Sequence, residues 1–182
     1  MARMVIAVSG TPGTGKSIFA RALAKKLGAQ VIDLNALIKK KRIYRLDVDG
    51  TMIANLPKMR KEFVRAIQSS HGPVIVEGLL AHLIPKRYLT HVVVLRTRPR
   101  ILERRLRARK YSKTKTRENV EAEALDVILW EAVKIHGINR VYEIDTTRLK
   151  PGAAVKLFLD ALTGKISLRP GKVKWLEEYY KK

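Results

Sequence analysis

The sequence has no cysteine, few aromatic residues, and fewer than half as many acidic as basic side chains. Without cysteine there are no disulfides and no thiolate metal sites, which fits a cytoplasmic setting. Aromatics make up 6% of residues against 46% hydrophobic overall, so aliphatic side chains have to build most of the core. No run of about 18 apolar residues occurs, and no transmembrane helix or membrane partner is expected. Met1-Ala2-Arg3 leads straight into the first apolar run, which predicts no secretory leader. A length of 182 residues suits one domain over 1–182 with a substantial core.

The shortage of acid is the most telling absence. Thirty-eight Lys and Arg against sixteen Asp and Glu leave a net charge of +22. A protein this basic usually meets a polyanion, most often RNA. Heat adaptation is the competing explanation, supported by the lack of cysteine and by only two glutamines, Gln30 and Gln68. Heat-adapted surfaces, however, balance lysine with glutamate in ion-pair networks. Thermophily alone does not account for the imbalance, and a nucleic-acid or ribonucleoprotein partner is expected.

What is present begins with Gly10-Thr11-Pro12-Gly13-Thr14-Gly15-Lys16-Ser17, which satisfies G-x-x-x-x-G-K-[ST] in full. Met4 to Val8 before it reads as a buried strand, and Ile18 to Ala24 after it as an amphipathic helix. Strand, glycine-rich loop and helix together grip nucleotide phosphates, because the glycines let successive N–H groups turn inward. Lys16 is expected to reach the β- and γ-phosphates of ATP, and the Ser17 hydroxyl to ligand Mg²⁺.

Five short apolar runs alternate with helical patterns: Met4 to Val8, Gln30 to Leu34, Pro73 to Glu77, His91 to Leu95, and Arg140 to Ile144. Runs this continuous predict strands of a parallel sheet covered on both faces. Helices are predicted over Pro57 to Ser69, Arg98 to Arg109, Thr116 to His136, and Gly152 to Leu162. The alternation argues a three-layer α/β P-loop fold with a five-stranded parallel sheet. Lys39 to Asn55 reads as polar and irregular, and Tyr111 to Thr116 as a basic break between helices. Insertions at these two places suit a substrate arm and a closing lid. The basic tail, Gly164 to Lys182, carries a turn at Arg169-Pro170-Gly171-Lys172 before a short helix with Trp175, Tyr179 and Tyr180. These rings pack on the core, stack on RNA or meet a partner, packing being the favoured reading.

Phosphoryl transfer also needs positive charge where the transferring group builds up negative charge. Arg98, Leu102, Arg105 and Arg109 share one helical stripe that either reaches the cleft between donor and acceptor, with Arg105 a candidate for the acceptor and Arg109, at the lid edge, for catalysis or ATP, or forms a solvated or RNA-facing basic face. Glu77, at the tip of the third predicted strand, is a candidate for the metal's outer shell or a general base, with a capping or ion-pair role as the alternative. His82, five residues on among apolar neighbours, is a candidate catalytic group or a packed core histidine. Asp33 caps the next helix or touches the acceptor nucleotide. Lys150, after the last strand, is placed near the adenine of the donor.

The P-loop, the strand Val92-Val93-Val94-Leu95-Arg96-Thr97-Arg98-Pro99, and Arg109-Lys110-Tyr111 followed by Arg117-Glu118-Asn119-Val120-Glu121-Ala122-Glu123 together resemble the adenylate kinase isoenzyme 6 family. Its members are small archaeal and eukaryotic proteins linked to maturation of the small ribosomal subunit, and the resemblance runs to about Leu162. It implies an adenylate-kinase-like fold with an AMP-binding region over roughly 30–53 and a lid over roughly 107–117. It implies ATP contacts from Gly13, Gly15, Lys16, Ser17, Ile18 and Arg109, with Gly10 and Thr14 completing the loop. It also implies AMP as acceptor, a slow ATPase, and a small-subunit ribosomal protein of the uS11 type as partner near rRNA. Eukaryotic members carry Asp-x-His at the third strand tip; here the acid is Glu77 and position 79 is leucine, which leaves His82 as the substitute. The alternatives are an assembly ATPase with little kinase activity, or a kinase for another small acceptor of the shikimate type.

Overall fold

The computed structural model describes residues 3–48 and 50–180. Met1 and Ala2, where the leader expectation begins, Asp49 inside the expected acceptor region, and Lys181 and Lys182 at the end of the tail lie outside the described residues.

The five apolar runs form one parallel sheet. Its strands are β1 (Val5–Ser9), β2 (Gln30–Asp33), β5 (Val74–Glu77), β6 (His91–Arg96) and β7 (Val141–Asp145), in the order β2-β5-β1-β6-β7. Alternate residues face opposite layers, as the pleat requires. Val5 and Ala7 pack with Val74, Val76, Val92 and Val94 against α3 (Leu56–Gln68) and α6 (Val127–His136). Ile6 and Val8 pack with Ile75, Val93 and Leu95 against α1 (Lys16–Leu27) and α7 (Pro151–Leu162). On this second face the few aromatics are concentrated, Phe158 meeting Phe19 and Tyr142 edge-on at 6.3 and 5.2 Å. The chain leaves β1 toward β5 and β2 on one side and returns to β6 and β7 on the other. The strand tips around β1 are therefore a topological switch point, where such sheets bind ligands.

Two expectations are corrected. The helix expected from Thr116 to His136 is two helices, α5 (Lys113–Ala124) and α6, broken at Asp126, whose φ of +56° is left-handed. Buried Arg96 is the reason. Its Nη2 donates to the Glu123 carbonyl at 2.9 Å and also binds the Asp126 carboxylate, so it satisfies a carbonyl that a continuous helix would have used itself. The stretch expected to be irregular after Lys39 contains the end of α2 (Leu34–Lys40) and a hairpin of β3 (Tyr44–Leu46) and β4 (Met52–Ala54). With three residues in each strand and mostly exposed side chains, the hairpin leaves no alternating pattern to read.

The region expected as a lid is built from the end of α4 (Pro99–Ala108), a short turn through Tyr111, and the start of α5. In the tail, Trp175 is buried beneath the Arg98 guanidinium, 5.4 Å from its ring, and Tyr179 packs on Leu102, Leu106 and Val120. Tyr180 is exposed.

Candidate functional site

Between β1 and α1 the loop from Gly10 to Ser17 closes tightly on itself. Gly10 and Gly13 take φ of +141° and +94°. A Cβ on Gly10 would stand 2.5 Å from the Leu95 carbonyl oxygen, and one on Gly13 2.9 Å from Leu102, so neither position accepts a side chain without movement of its neighbours. Gly15 is the N-cap of α1, and neither a capping side chain nor an acid occupies the first turn, which leaves its N–H groups to an anion.

Lys16 is buried, and its Nζ donates to the Thr11 carbonyl at 2.9 Å. Burial pulls its ammonium down from 10.5 to about 8, opposed by Glu77 and Glu123 and reinforced by Arg109. Phosphates bind the protonated form, so ATP binding takes up a proton where free Lys16 has lost one. Uptake is near zero at about pH 7 and approaches one proton at about pH 9, because the free protein titrates at about 8. Calorimetry in buffers of different ionisation enthalpy measures this number; an uptake that does not change across that interval refutes the assignment to Lys16.

The Ser17 hydroxyl donates to Glu77 Oε1 at 2.7 Å, and Glu77 is itself buried at the tip of β5 beside the loop. A hydroxyl and a carboxylate meeting at the phosphate loop are hard oxygen donors of the kind Mg²⁺ takes, one or two from protein with water and phosphate completing the shell. The pair fits the ion: Ser17 would be its direct ligand, with Glu77 held behind it.

Two cavities flank the loop. One, of about 370 Å³, lies over Ile18 and Phe19 and is bounded by Thr146, Leu149, Pro151 and Arg105. The other, of about 670 Å³, opens on the opposite side between Lys16, Ser17, Glu77, Asn35, Met52 and Tyr111. Gly13, Gly15, Ile18 and Arg109 line both. A triphosphate lying along the loop would thus have its base on one side and its terminal phosphate facing a second chamber.

Of the expected site residues, Gly13, Thr14, Gly15, Lys16, Ser17, Ile18, Glu77 and Arg109 come together here. Arg105, expected at the acceptor, instead lines the smaller cavity and donates to the Gly13 carbonyl at 3.1 Å. Asp33 caps α2 by accepting from the Ala36 N–H, and Asn35 takes the place in the larger cavity. Lys150 is the exposed N-cap of α7, and its neighbours Leu149 and Pro151 line the smaller cavity. His82 is not among the residues lining either cavity. Its ring is buried between Ser9 Oγ and Glu131 Oε2, each at 2.8 Å, and burial lowers its pKa against the pull of Glu131.

A buried network behind the loop is absent from the motif reading. Glu123 accepts from the Thr11 hydroxyl at 2.6 Å, from the Thr97 N–H at 3.0 Å and from Arg96 at 2.8 Å. Arg96 also binds Glu143 at 2.7 Å, and the second oxygen of Glu143 accepts from the N–H groups of Gly171 and Lys172 in the tail. Burial pushes the Glu143 carboxyl up, while Arg96 and the tail N–H groups oppose it. For Arg96 the surrounding carboxylates outweigh burial and hold it cationic. The sequence signal is one arginine closing an otherwise apolar strand, Val92-Val93-Val94-Leu95-Arg96, because a charge buried there demands partners.

Residues 6–126 match a family described as AAA domain. A protein of Pyrococcus abyssi (strain GE5 / Orsay) named "Putative adenylate kinase" is 39% identical over 176 residues, 97% of this chain and 93% of that one. A Methanocaldococcus jannaschii protein of the same name is 36% identical over 180 residues, 97% and 96% of the two chains. Among solved structures, shikimate kinase from Acinetobacter baumannii superposes with a TM-score of 0.59 at 20% identity, over 91% of this chain and 97% of that one, a likeness of fold alone.

Proposed function

The chain belongs to the AAA domain family and to the family of these archaeal adenylate kinase relatives, nucleotide kinases, and on that premise we propose that it transfers the γ-phosphoryl group of ATP to AMP. The observation that carries this reading is the pair of cavities meeting at the phosphate loop with Arg109 on both. A hydrolase needs room only for donor and water, whereas the second chamber is the larger of the two.

In this reading the adenine of ATP lies in the cavity over Ile18 and Phe19, and its phosphates run along the N–H groups of Gly13 to Ser17. Lys16 holds the β- and γ-phosphates, and Arg109 spans the gap in which charge accumulates. Bound Mg²⁺, on Ser17, supplies further neutralisation of the phosphate oxygens. AMP lies in the larger cavity against Asn35 and Met52. An oxygen of its phosphate forms the new bond to the γ-phosphorus as the bond to the β,γ-bridging oxygen breaks, yielding two ADP. The acceptor phosphate is already ionised at neutral pH, so this transfer needs no general base. Glu77 then serves to orient Ser17, and it becomes a base only if water or a hydroxyl acceptor takes the place of AMP.

The resemblance to the isoenzyme 6 group and the charge of +22 support a finer reading: a cytoplasmic protein acting on the small ribosomal subunit through a uS11-type protein and rRNA, with slow ATP hydrolysis beside the kinase reaction. In this reading the segment 107–117 closes over ATP as a lid and 30–53 holds AMP. ADP production from ATP and Mg²⁺, with and without AMP and beside other monophosphates and a shikimate-type alcohol, tests it. AMP is expected to raise the rate to roughly 1–100 per second. A slow rate indifferent to every acceptor would replace the kinase with an ATPase.

A further inference from the structure

Between the β3–β4 hairpin and the start of α3 lies a third concavity, of about 490 Å³. Arg45 pairs with Ile53, whereas Leu46 pairs with Met52 and Tyr44 with Ala54, so Arg45 and Ile53 project to one side while Met52 and Ala54 project to the other. Met52 lines the acceptor cavity and Arg45 and Ile53 line the third one, while Ala54 borders both and Tyr44 lines the third. Arg42, Arg45 and Lys58 are its charged residues, and among the described residues no acidic one lines it. All three are exposed, and among the described residues none of their side chains has an ion-pair partner. Between them lie Ile43, Tyr44, Ile53 and Pro57. Lys61, one turn along α3 from Lys58, is exposed and extends the positive track.

Arg42 adds an independent observation. It follows α2 in the left-handed conformation, φ +51°, where its N–H bonds to the Lys39 carbonyl and the Ile43 N–H to Ile38. Glycine fills this terminating position most readily, and an arginine there is held in a conformation that L side chains rarely adopt. Unpaired cations around an apolar floor are the arrangement that follows a nucleic-acid backbone, with sugars and bases resting on the floor.

We propose that this concavity is a docking site for single-stranded RNA, with Arg42, Arg45 and Lys58 on successive phosphates and Tyr44, Ile53 and Pro57 beneath the nucleosides. A polymer is favoured over a small phosphorylated ligand because the positive charge continues beyond the cavity onto α3 and the whole chain carries +22. The inference rests on the reading of a polyanionic partner.

The test is binding of a fluorescent oligouridylate to the full chain across a salt series. R42A/R45A/K58A is compared with R21A/K25A/K26A, which removes the same charge from the exposed side of α1. The hairpin variant is expected to bind at least about tenfold more weakly, with the slope of log K against log salt reduced by about 2, near 0.7 per lost phosphate contact. The α1 variant should lose much less. R42K/R45K, which keeps the charge, should retain the slope, and circular dichroism verifies the fold of each variant. Equal losses in both alanine variants would overturn the site while leaving the RNA partner standing. No binding by the parent chain would overturn both. Displacement of the RNA by inorganic phosphate at constant ionic strength would assign the cavity to a small anion and overturn the polymer. ATP affinity, followed in parallel, reports separately on the phosphate loop.

Discussion

Lys16→Ala lowers kcat/KM for ATP by about 10³-fold, the upper end of what loss of one preorganised charge donor costs. The position justifies the magnitude. Lys16 is buried at the first turn of α1, faces both Glu77 and Glu123, and is held at the Thr11 carbonyl in the loop that receives the phosphates. Its removal leaves the Glu77 carboxylate close to an incoming polyanion without the buried cation that faces it. The fold should persist, because truncation removes a charge whose burial already costs stability. Steady-state kinetics with ATP and AMP, alongside thermal denaturation, separates the two effects. Near-parental turnover in a folded variant would remove the phosphate loop from the mechanism.

Arg96→Met carries the largest expected effect on stability, about 3–5 kcal/mol, because it strips the cation from carboxylates that remain buried. Arg96, Glu123 and Glu143 are all at most 5% exposed, and the hydrogen bonds left to the two carboxylates come from neutral groups, the Thr11 hydroxyl and the Thr97, Gly171 and Lys172 N–H groups. The loss should depend on pH in a defined direction. Burial already holds the Glu143 carboxyl above its ordinary value against the pull of Arg96, so the folded state binds that proton more tightly than the unfolded one. Such a group contributes stability that is full below its unfolded pKa and is lost as pH rises through the folded one. Without Arg96 the carboxyl rises further, so the deficit of the variant narrows as pH falls from about 7 to about 5. Urea denaturation at several pH values measures it, and Glu143→Gln in the same chain should recover part of the loss. A deficit below about 1 kcal/mol, or one that widens in acid, would show that the network is not held as a buried charge cluster. Because Glu123 also binds Thr11, the variant should raise KM for ATP as well.

The phosphate loop and the five strands were legible because each is a local signal. A fixed glycine spacing specifies the loop, and continuous aliphatic runs specify strands covered on both faces. Arg109 was legible through helical spacing from Arg105, but the partners of Arg105 were not, since Gly13 lies 92 positions away in sequence. The hairpin escaped because a two-stranded ribbon with exposed side chains has no hydrophobic period. His82 shows the limit at a single residue. Its apolar neighbours allowed a catalytic or a packed role, and its location was decided by Ser9 and Glu131, distant in sequence.

By itself the sequence determined a phosphate-gripping loop on a parallel α/β sheet, a basic surface, and an aliphatic core, since short-range spacing and composition specify all three. Only the tertiary structure decided that two chambers meet at that loop, that Arg96 ties the loop to the tail through Glu123 and Glu143, and that Arg42, Arg45 and Lys58 gather around one cavity beside the hairpin. These depend on contacts between residues far apart in the chain, which packing and the pairing of buried charges select and local pattern does not encode.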